Sequence, residues 1–418
     1  MLNPSFETTG TGGAADAASW SEGANHARAS DKFKTGSWSL KSSYAGPGTS
    51  TNTTAPIPVS ANTTYTYSGS IWRTATSGGS CMDMNDIVGE AQLCTSITGS
   101  WQLISGSWNS GTNTSVTLRL ITDGAPNGSI WFDDISLVPQ AAPIIVAAAG
   151  DIACFPGSAL NCKQMETSDL LVNMNPDQVL TLGDTQYDSG TLSDFQAVFD
   201  PSWGRLKAKI SPARGNHDGD PGYFDYFNGV GNNSGPAGDR STGYYSFNLG
   251  AWHFVALNTN DKCIILSCAA GSAQETWLRN DLAAHPECTI VYMHHPRWAS
   301  STTFATVETQ ALVQDLYDYG VELYLASHAH FYERFARQNA SGGVDPTYGV
   351  RELLVGVGGR DFSGFTTIVP NSQVHQNNTF GVLKLTLTSN QYTFQFVPIA
   401  GSTWTDGPLT ESCHGPHP

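Results

Sequence analysis

Five strand-length apolar runs in the second half of the chain each lead into a short polar loop that carries a metal-ligating side chain. Ile144–Ala149 runs into Gly150-Asp151, and Gln178–Leu182 into Gly183-Asp184-Thr185-Gln186-Tyr187. Lys209-Ile210-Ser211 precedes Gly215-Asn216-His217-Asp218, Val291-Tyr292-Met293 ends directly on His294, and residues 321–326 reach Ser327-His328-Ala329-His330. Helical patterns lie between them at 163–174, 273–284 and 307–319. Strands alternating with helices predict an α/β layered domain. Ligands in such domains gather beyond the carboxyl ends of the strands, so the five loops are expected to meet in one crevice.

Asp151, Asp184, Tyr187, Asn216, His294, His328 and His330 make a mixed oxygen and nitrogen donor set. That set suits Fe, Zn or Mn better than Ca or Mg, which take all-oxygen shells. Seven ligands, one carboxylate being shared, fit a two-metal hydrolytic site. Taken singly the motifs say little: Gly-Asp is more often a turn, and Tyr187 alone reads as a core aromatic. The weight lies in five of them in order. His294 and His295 are neighbours, which strand alternation sends to opposite faces, so that only one of the two is expected to be a ligand. His253, His285, His414 and His417 read as structural. Arg297, Tyr332, Arg334, Arg360 and His375 are candidates to clamp the ligand or shape the pocket.

The order Asp, Gly-Asp-x-x-Tyr, Gly-Asn-His-Asp, Val-x-x-His, x-His-x-His resembles the metallophosphoesterases, and within them the purple acid phosphatases. The wider pattern begins Asp-x-His, but here the third position is Ala153, and Tyr187 offsets the missing ligand. Residues 242–247 and 252–257 are similar to that family as well, so that the likeness runs from about Ile144 to Pro398. It implies a four-layer α/β/β/α sandwich. It also implies Fe³⁺ held by Asp151, Asp184, Tyr187 and His330, and Fe²⁺, Zn²⁺ or Mn²⁺ held by Asp184, Asn216, His294 and His328. His217, oriented by Asp218, is then the proton donor to the leaving oxygen, and His295 and Arg297 are the nearest candidates for substrate binding. Ala153 and Ser327 stand where the family has Gly, which alters loop geometry without removing a ligand. The reaction implied is hydrolysis of phosphate monoesters by in-line attack of a metal-bound hydroxide. A phosphodiesterase using the same site is the enzymatic alternative. A carbohydrate-binding protein with a vestigial phosphoesterase half is the other, against which the complete ligand set speaks.

Residues 1–140 have a different texture, with short alternating runs such as 64–72 and 116–121 bounded by Gly, Asn, Ser and Pro. They predict an all-β sandwich preceding a catalytic domain over 141–418, with 139–143 as the boundary. Asn3-Pro4-Ser5-Phe6-Glu7, Trp72, residues 98–101 and residues 131–137 resemble carbohydrate-binding modules of the jelly-roll type. That likeness implies a polysaccharide partner and a structural Ca²⁺ held by Glu7, Asp133 and Asp134. Trp101 and Trp131 read as core residues of the sandwich.

With 20 Lys and Arg against 36 Asp and Glu, the net charge of −16 excludes a phosphate-backbone binder as the main activity. No run approaches the ~20 apolar residues of a membrane-spanning helix. Eight Cys fall partly into near-neighbour pairs, Cys81 with Cys94, Cys154 with Cys162 and Cys263 with Cys268, leaving Cys288 and Cys413. Disulfides imply a secreted protein whose signal peptide is absent from the chain as it begins at Met1-Leu2-Asn3-Pro4.

Overall fold

The computed structural model describes residues 5–11, 17–21, 26–44, 49–74, 79–84, 92–123, 128–301 and 303–416. Asn3, Pro4 and His417 lie outside them. The chain divides into two compact units, Met1–Ala141 and Ala142–Pro418.

Among the described residues the first unit has two five-stranded antiparallel sheets and a short two-stranded pair. One sheet runs His26–Ala29, Ser39–Tyr44, Gly128–Pro139, Thr64–Arg73, Gln102–Asn109. The other runs Trp20–Ser21, Thr49–Thr54, Leu118–Asp123, Gly79–Met84, Leu93–Thr95. Leu40, Tyr67, Ile71, Ile130 and Phe132 of the first meet Met82, Leu118 and Leu120 of the second in a shared core. The unit is the expected all-β sandwich. Period-two alternation fixes one detail differently from the sequence reading. Because Ile130 and Phe132 point into the shared core, Trp131 between them faces the other side of the sheet, where it is still buried, with 6% of its surface exposed. There it lies beside Trp72, with the Lys32 and Lys41 amines over the rings and its Nε1 donating to Asp31 at 2.8 Å. Of the candidate calcium carboxylates, Glu7 and Asp133 hold main-chain amides, and Asp134 accepts from the Ser5 and Thr35 hydroxyls. Asp133 Oδ2 accepts from Lys34 and Thr35 at 2.6 and 3.1 Å, and Glu7 Oε1 from Ser37 and Trp38 at 2.8 and 2.9 Å. Burial pushes the Asp133 carboxyl up to about 6, against the pull of those amides.

The second unit is built on two sheets. The six-stranded one runs Ile210–Ala213, Gln178–Leu182, Ile144–Ala149, Gly381–Leu387, Gln391–Pro398, Leu409–Ser412, with its first three strands parallel. The seven-stranded one runs Tyr245–Leu249, Trp252–Ala256, Cys288–Tyr292, Leu323–Ala326, Arg351–Val355, Tyr332–Phe335, Ser372–Gln376. Four adjacent strands of it, from Trp252–Ala256 to Arg351–Val355, are parallel. Val146, Leu180 and Leu383 of one sheet share a core with Phe254, Tyr292 and Leu325 of the other. The outer face of the seven-stranded sheet is covered by the helices Ala273–Ala284 and Gln310–Asp318 through Leu278, Leu282, Leu312 and Leu316. The helix Gln164–Met174 and the segment Trp203–Lys209 pack on the other sheet. This is the expected α/β/β/α sandwich.

All eight cysteines are paired, three as proximity suggested and the fourth as Cys288–Cys413. That last bond spans 125 residues and fastens the end of the chain to the start of a central strand. By loop-closure entropy, removing it should cost about 4–5 kcal/mol of unfolding free energy. We expect denaturant titration of the Cys288→Ser, Cys413→Ser protein to read a loss of that size. A loss below about 1 kcal/mol would mean that the folded core alone holds the C-terminal strand.

Candidate metal centre

Each candidate ligand stands just beyond the carboxyl end of a parallel strand or in the turn that follows it. Two glycines let the loops approach. A Cβ on Gly183, whose φ is +87°, would lie 2.6 Å from His294 Nδ1, and one on Gly215 would lie 2.1 Å from the Asp184 amide nitrogen. Asp151, Asp184 and His328 are themselves left-handed, with φ of 57°, 47° and 69°. Left-handed backbone is unfavourable for side-chain-bearing residues and concentrates where a site imposes it.

All seven candidate ligands come together, in two groups that share Asp184. Tyr187 Oη lies 2.7 Å from Asp151 Oδ1, 2.9 Å from Asp184 Oδ2 and 3.1 Å from His330 Nε2. His294 Nε2 lies 3.3 Å from Asp184 Oδ2, 3.1 Å from Asn216 Oδ1 and 3.2 Å from His328 Nδ1. Main-chain amides fix the carboxylates from behind: His217 N donates to Asp184 Oδ1 at 2.8 Å, and His328 N to Asp151 Oδ2 at 2.9 Å.

The donor chemistry calls for cations. His294 Nδ1 faces the Leu182 carbonyl at 3.0 Å, so its proton belongs there. The Nε2 lone pair then confronts a carboxylate and an amide oxygen, neither of which donates, beside a second imidazole nitrogen. His330 is held the same way, its Nδ1 2.5 Å from Asp361 Oδ1. Without metal, extra protons have to take up this role. Burial works against a charged His294, yet Asp184 raises it to about 9. Burial opposes His330 too, yet Asp151 and Asp361 raise it to about 10. Burial, joined by Asp151 and Asp184, pushes the Tyr187 phenol well up. Metal ions supply the positive charge without protons, and the seven residues fit them.

His217 stands at the edge of the centre, its ring 4.4 Å from that of Tyr187 and its Nε2 4.0 Å from Asp184 Oδ2. Its orientation corrects the sequence reading. Nδ1 lies 2.6 Å from the main-chain carbonyl of Asp188, and Asp218 takes no part. Asp218 is buried among amides, accepting from Gly215, Thr185 and Gln186 at 2.9, 2.9 and 3.3 Å, and so ties two ligand loops together. Burial and the neighbouring Asp184 push its carboxyl up to about 7.

His295 is the second correction. The strand stops at Tyr292, so alternation no longer governs 294 and 295. Nitrogens of His294, His295 and His328 lie within 4.8 Å of one another. Burial and the neighbouring imidazoles hold His295 far below the usual range, hence neutral. Arg297 is directed elsewhere, its guanidinium on Gln310 Oε1 at 2.9 and 2.6 Å. Tyr332 and Arg334 bind Asp406 at 2.8 and 2.7 Å. Sequence reasoning missed Asp361. The signal was a sixth repetition of the same design, the apolar strand Arg351–Val355 followed by Gly356, Gly358, Gly359, Arg360 and Asp361.

Residues 146–332 match the family model described as calcineurin-like phosphoesterase. The chain is 29% identical over 238 residues to purple acid phosphatase 15 of Arabidopsis thaliana, covering 48% of this chain and 42% of that one. It is 25% identical over 264 residues to a nucleotide pyrophosphatase/phosphodiesterase of Hordeum vulgare, 53% of this chain and 68% of the relative. The chain spans about half the length of the first curated relatives it matches. Among solved structures, purple acid phosphatase PPD1 from yellow lupin (Lupinus luteus) seeds superposes with a TM-score of 0.56 at 15% identity, over 88% of this chain and 72% of that one. Carbohydrate-binding modules align with about a third of the chain at TM-scores near 0.25.

Proposed function

We infer, from a calcineurin-like phosphoesterase domain at residues 146–332 with purple acid phosphatases among its homologues, that this protein is a dinuclear-metal hydrolase of phosphate monoesters. The observation that carries the reading is the pair of donor groups sharing Asp184, with His217 facing them. Asp151, Asp184, Tyr187 and His330 would hold the first ion, and Asp184, Asn216, His294 and His328 the second. Such ions neutralise the charge of a phosphate ester and lower the pKa of water bound to them. His217, fixed through Nδ1 by the Asp188 carbonyl, presents Nε2 to the leaving oxygen. His295, with a nitrogen within 4.8 Å of those of His294 and His328, would place a neutral imidazole beside the second ion. The donor set supports Fe³⁺ beside Tyr187 and Fe²⁺, Zn²⁺ or Mn²⁺ at the second position. Four disulfides support a secreted protein. For the first unit we add polysaccharide contact through the half-buried Trp72 and Trp101, which retardation of the protein in polysaccharide-containing native gels would report and which unchanged mobility would refute.

The visible spectrum of the concentrated protein tests the metal assignment. Tyrosinate on Fe³⁺ gives a broad charge-transfer band, expected in the wild type and absent in Tyr187→Phe. A colourless protein with two Zn or Mn ions would retain the hydrolase and remove the ferric site. The barley relative named as a pyrophosphatase/phosphodiesterase keeps a diester reading in play. Comparing kcat/KM on p-nitrophenyl phosphate and bis-p-nitrophenyl phosphate separates the two, the monoester being expected to win.

A further inference from the structure

Arg360 sits in the turn after the strand Arg351–Val355, its amide donating to the Asp151 carbonyl at 3.0 Å, so its backbone is fastened to the first ligand loop. Its guanidinium carbon lies 4.7 Å from the centre of the Tyr187 ring. Nη2 reaches Asp188 Oδ1 at 3.3 Å, and Nη1 reaches Asp361 Oδ2 at 3.5 Å. Each of those residues touches the centre with a different oxygen. Asp361 Oδ1 holds His330 Nδ1 at 2.5 Å, and the Asp188 carbonyl holds His217 Nδ1 at 2.6 Å. One side chain thus contacts a candidate ligand directly, Tyr187, and reaches a second ligand and the candidate proton donor through one residue each.

The guanidinium is poorly suited to a purely stabilising role. Nε and Nη1 are buried and make no hydrogen bond, although arginine's planar fork normally satisfies several donors at once. Leaving buried donors unsatisfied costs free energy. What the placement gains is a cation between two carboxylates and over an aromatic face. We propose that Arg360 is a positioning residue of the metal centre, holding Tyr187 and, through Asp361, His330 on the first ion while fixing, through Asp188, the carbonyl that aims His217. This rests on the dinuclear reading above.

The test uses the full-length, metal-loaded protein and two variants, Arg360→Met and Arg360→Lys. Two quantities are read: the rate at which metal is lost to excess EDTA, and kcat and KM separately. Partners of metal-bound histidines are typically worth ~10–100-fold in metal affinity or activity, so Arg360→Met should release its first-site ion about that much faster. Its kcat should fall by roughly tenfold or more with KM within about threefold, the pattern of a lost transition-state interaction. Arg360→Lys keeps the charge without the fork and should fall between the two proteins. A rise in KM alone would make Arg360 a direct ligand of the substrate and overturn the proposal. So would Arg360→Met with a lower Tm but wild-type metal release and kcat, which is the mark of packing alone. A wild-type chain that binds no metal overturns the dinuclear reading itself, and the proposal with it.

Discussion

Asp184→Asn is expected to abolish metal binding and to lower turnover by at least ~10³-fold, well beyond the ~10–100-fold typical of an outer partner. Asp184 is the only candidate ligand common to both donor groups, with Oδ2 2.9 Å from Tyr187 Oη and 3.3 Å from His294 Nε2. The substitution keeps shape and volume, so the sheets that carry the loops are undisturbed. It replaces one carboxylate oxygen by an amide nitrogen, which cannot ligate. Metal analysis after dialysis should read two ions per wild-type chain and none, or a weakly held one, in the variant. Stability gives an independent reading. Ions that bind only the folded state raise Tm by mass action. EDTA should therefore lower the Tm of the wild type and leave that of Asp184→Asn unmoved. A variant that still holds two ions would remove Asp184 from the bridging position.

His217→Ala is expected to keep both ions and to lose ~10²–10⁴ in kcat, the usual worth of a positioned proton donor. Metal retention follows from geometry, because the contact of residue 217 with Asp184 is made by the main-chain amide, which alanine also has. On the proposed reading the imidazole contributes a proton rather than a bond to the metal, so the loss should depend on the leaving group. An alkyl phosphate expels a strongly basic alkoxide and needs the proton, while p-nitrophenolate leaves without help. The variant's deficit should therefore be far larger on glycerol phosphate than on p-nitrophenyl phosphate. Equal deficits on both would assign His217 to binding of the phosphoryl group instead. The His217 variant is not confounded by Asp218, which is engaged with three amides.

Much of the centre was legible because it is written in local pattern. An apolar strand followed by a glycine turn and a donor side chain recurs, and the strands Gln178–Leu182 and Ile144–Ala149 are where their composition puts them. The errors arose where a local rule was carried past its element. Alternation does not reach His295, because the strand ends at Tyr292, and Trp131 is buried on the face of its sheet opposite to Ile130 and Phe132. Asp218 was assigned to His217 because they are adjacent. Adjacency in a loop says nothing of direction, and a buried carboxylate beside three free amides turns to them.

The sequence by itself determined the α/β class of the second unit, the all-β class of the first, and the identity and order of seven candidate metal ligands. These depend on periods of two and 3.6 residues and on residue chemistry, both of which are local. Only the tertiary structure decided that the Asp188 carbonyl aims His217 and that Asp361 and Arg360 stand behind His330 and Tyr187. Those contacts join residues 29 to 173 positions apart in the chain, such as Asp188 with His217 and Tyr187 with Arg360, and most depend on which strands neighbour one another in two facing sheets. No local pattern encodes sheet order.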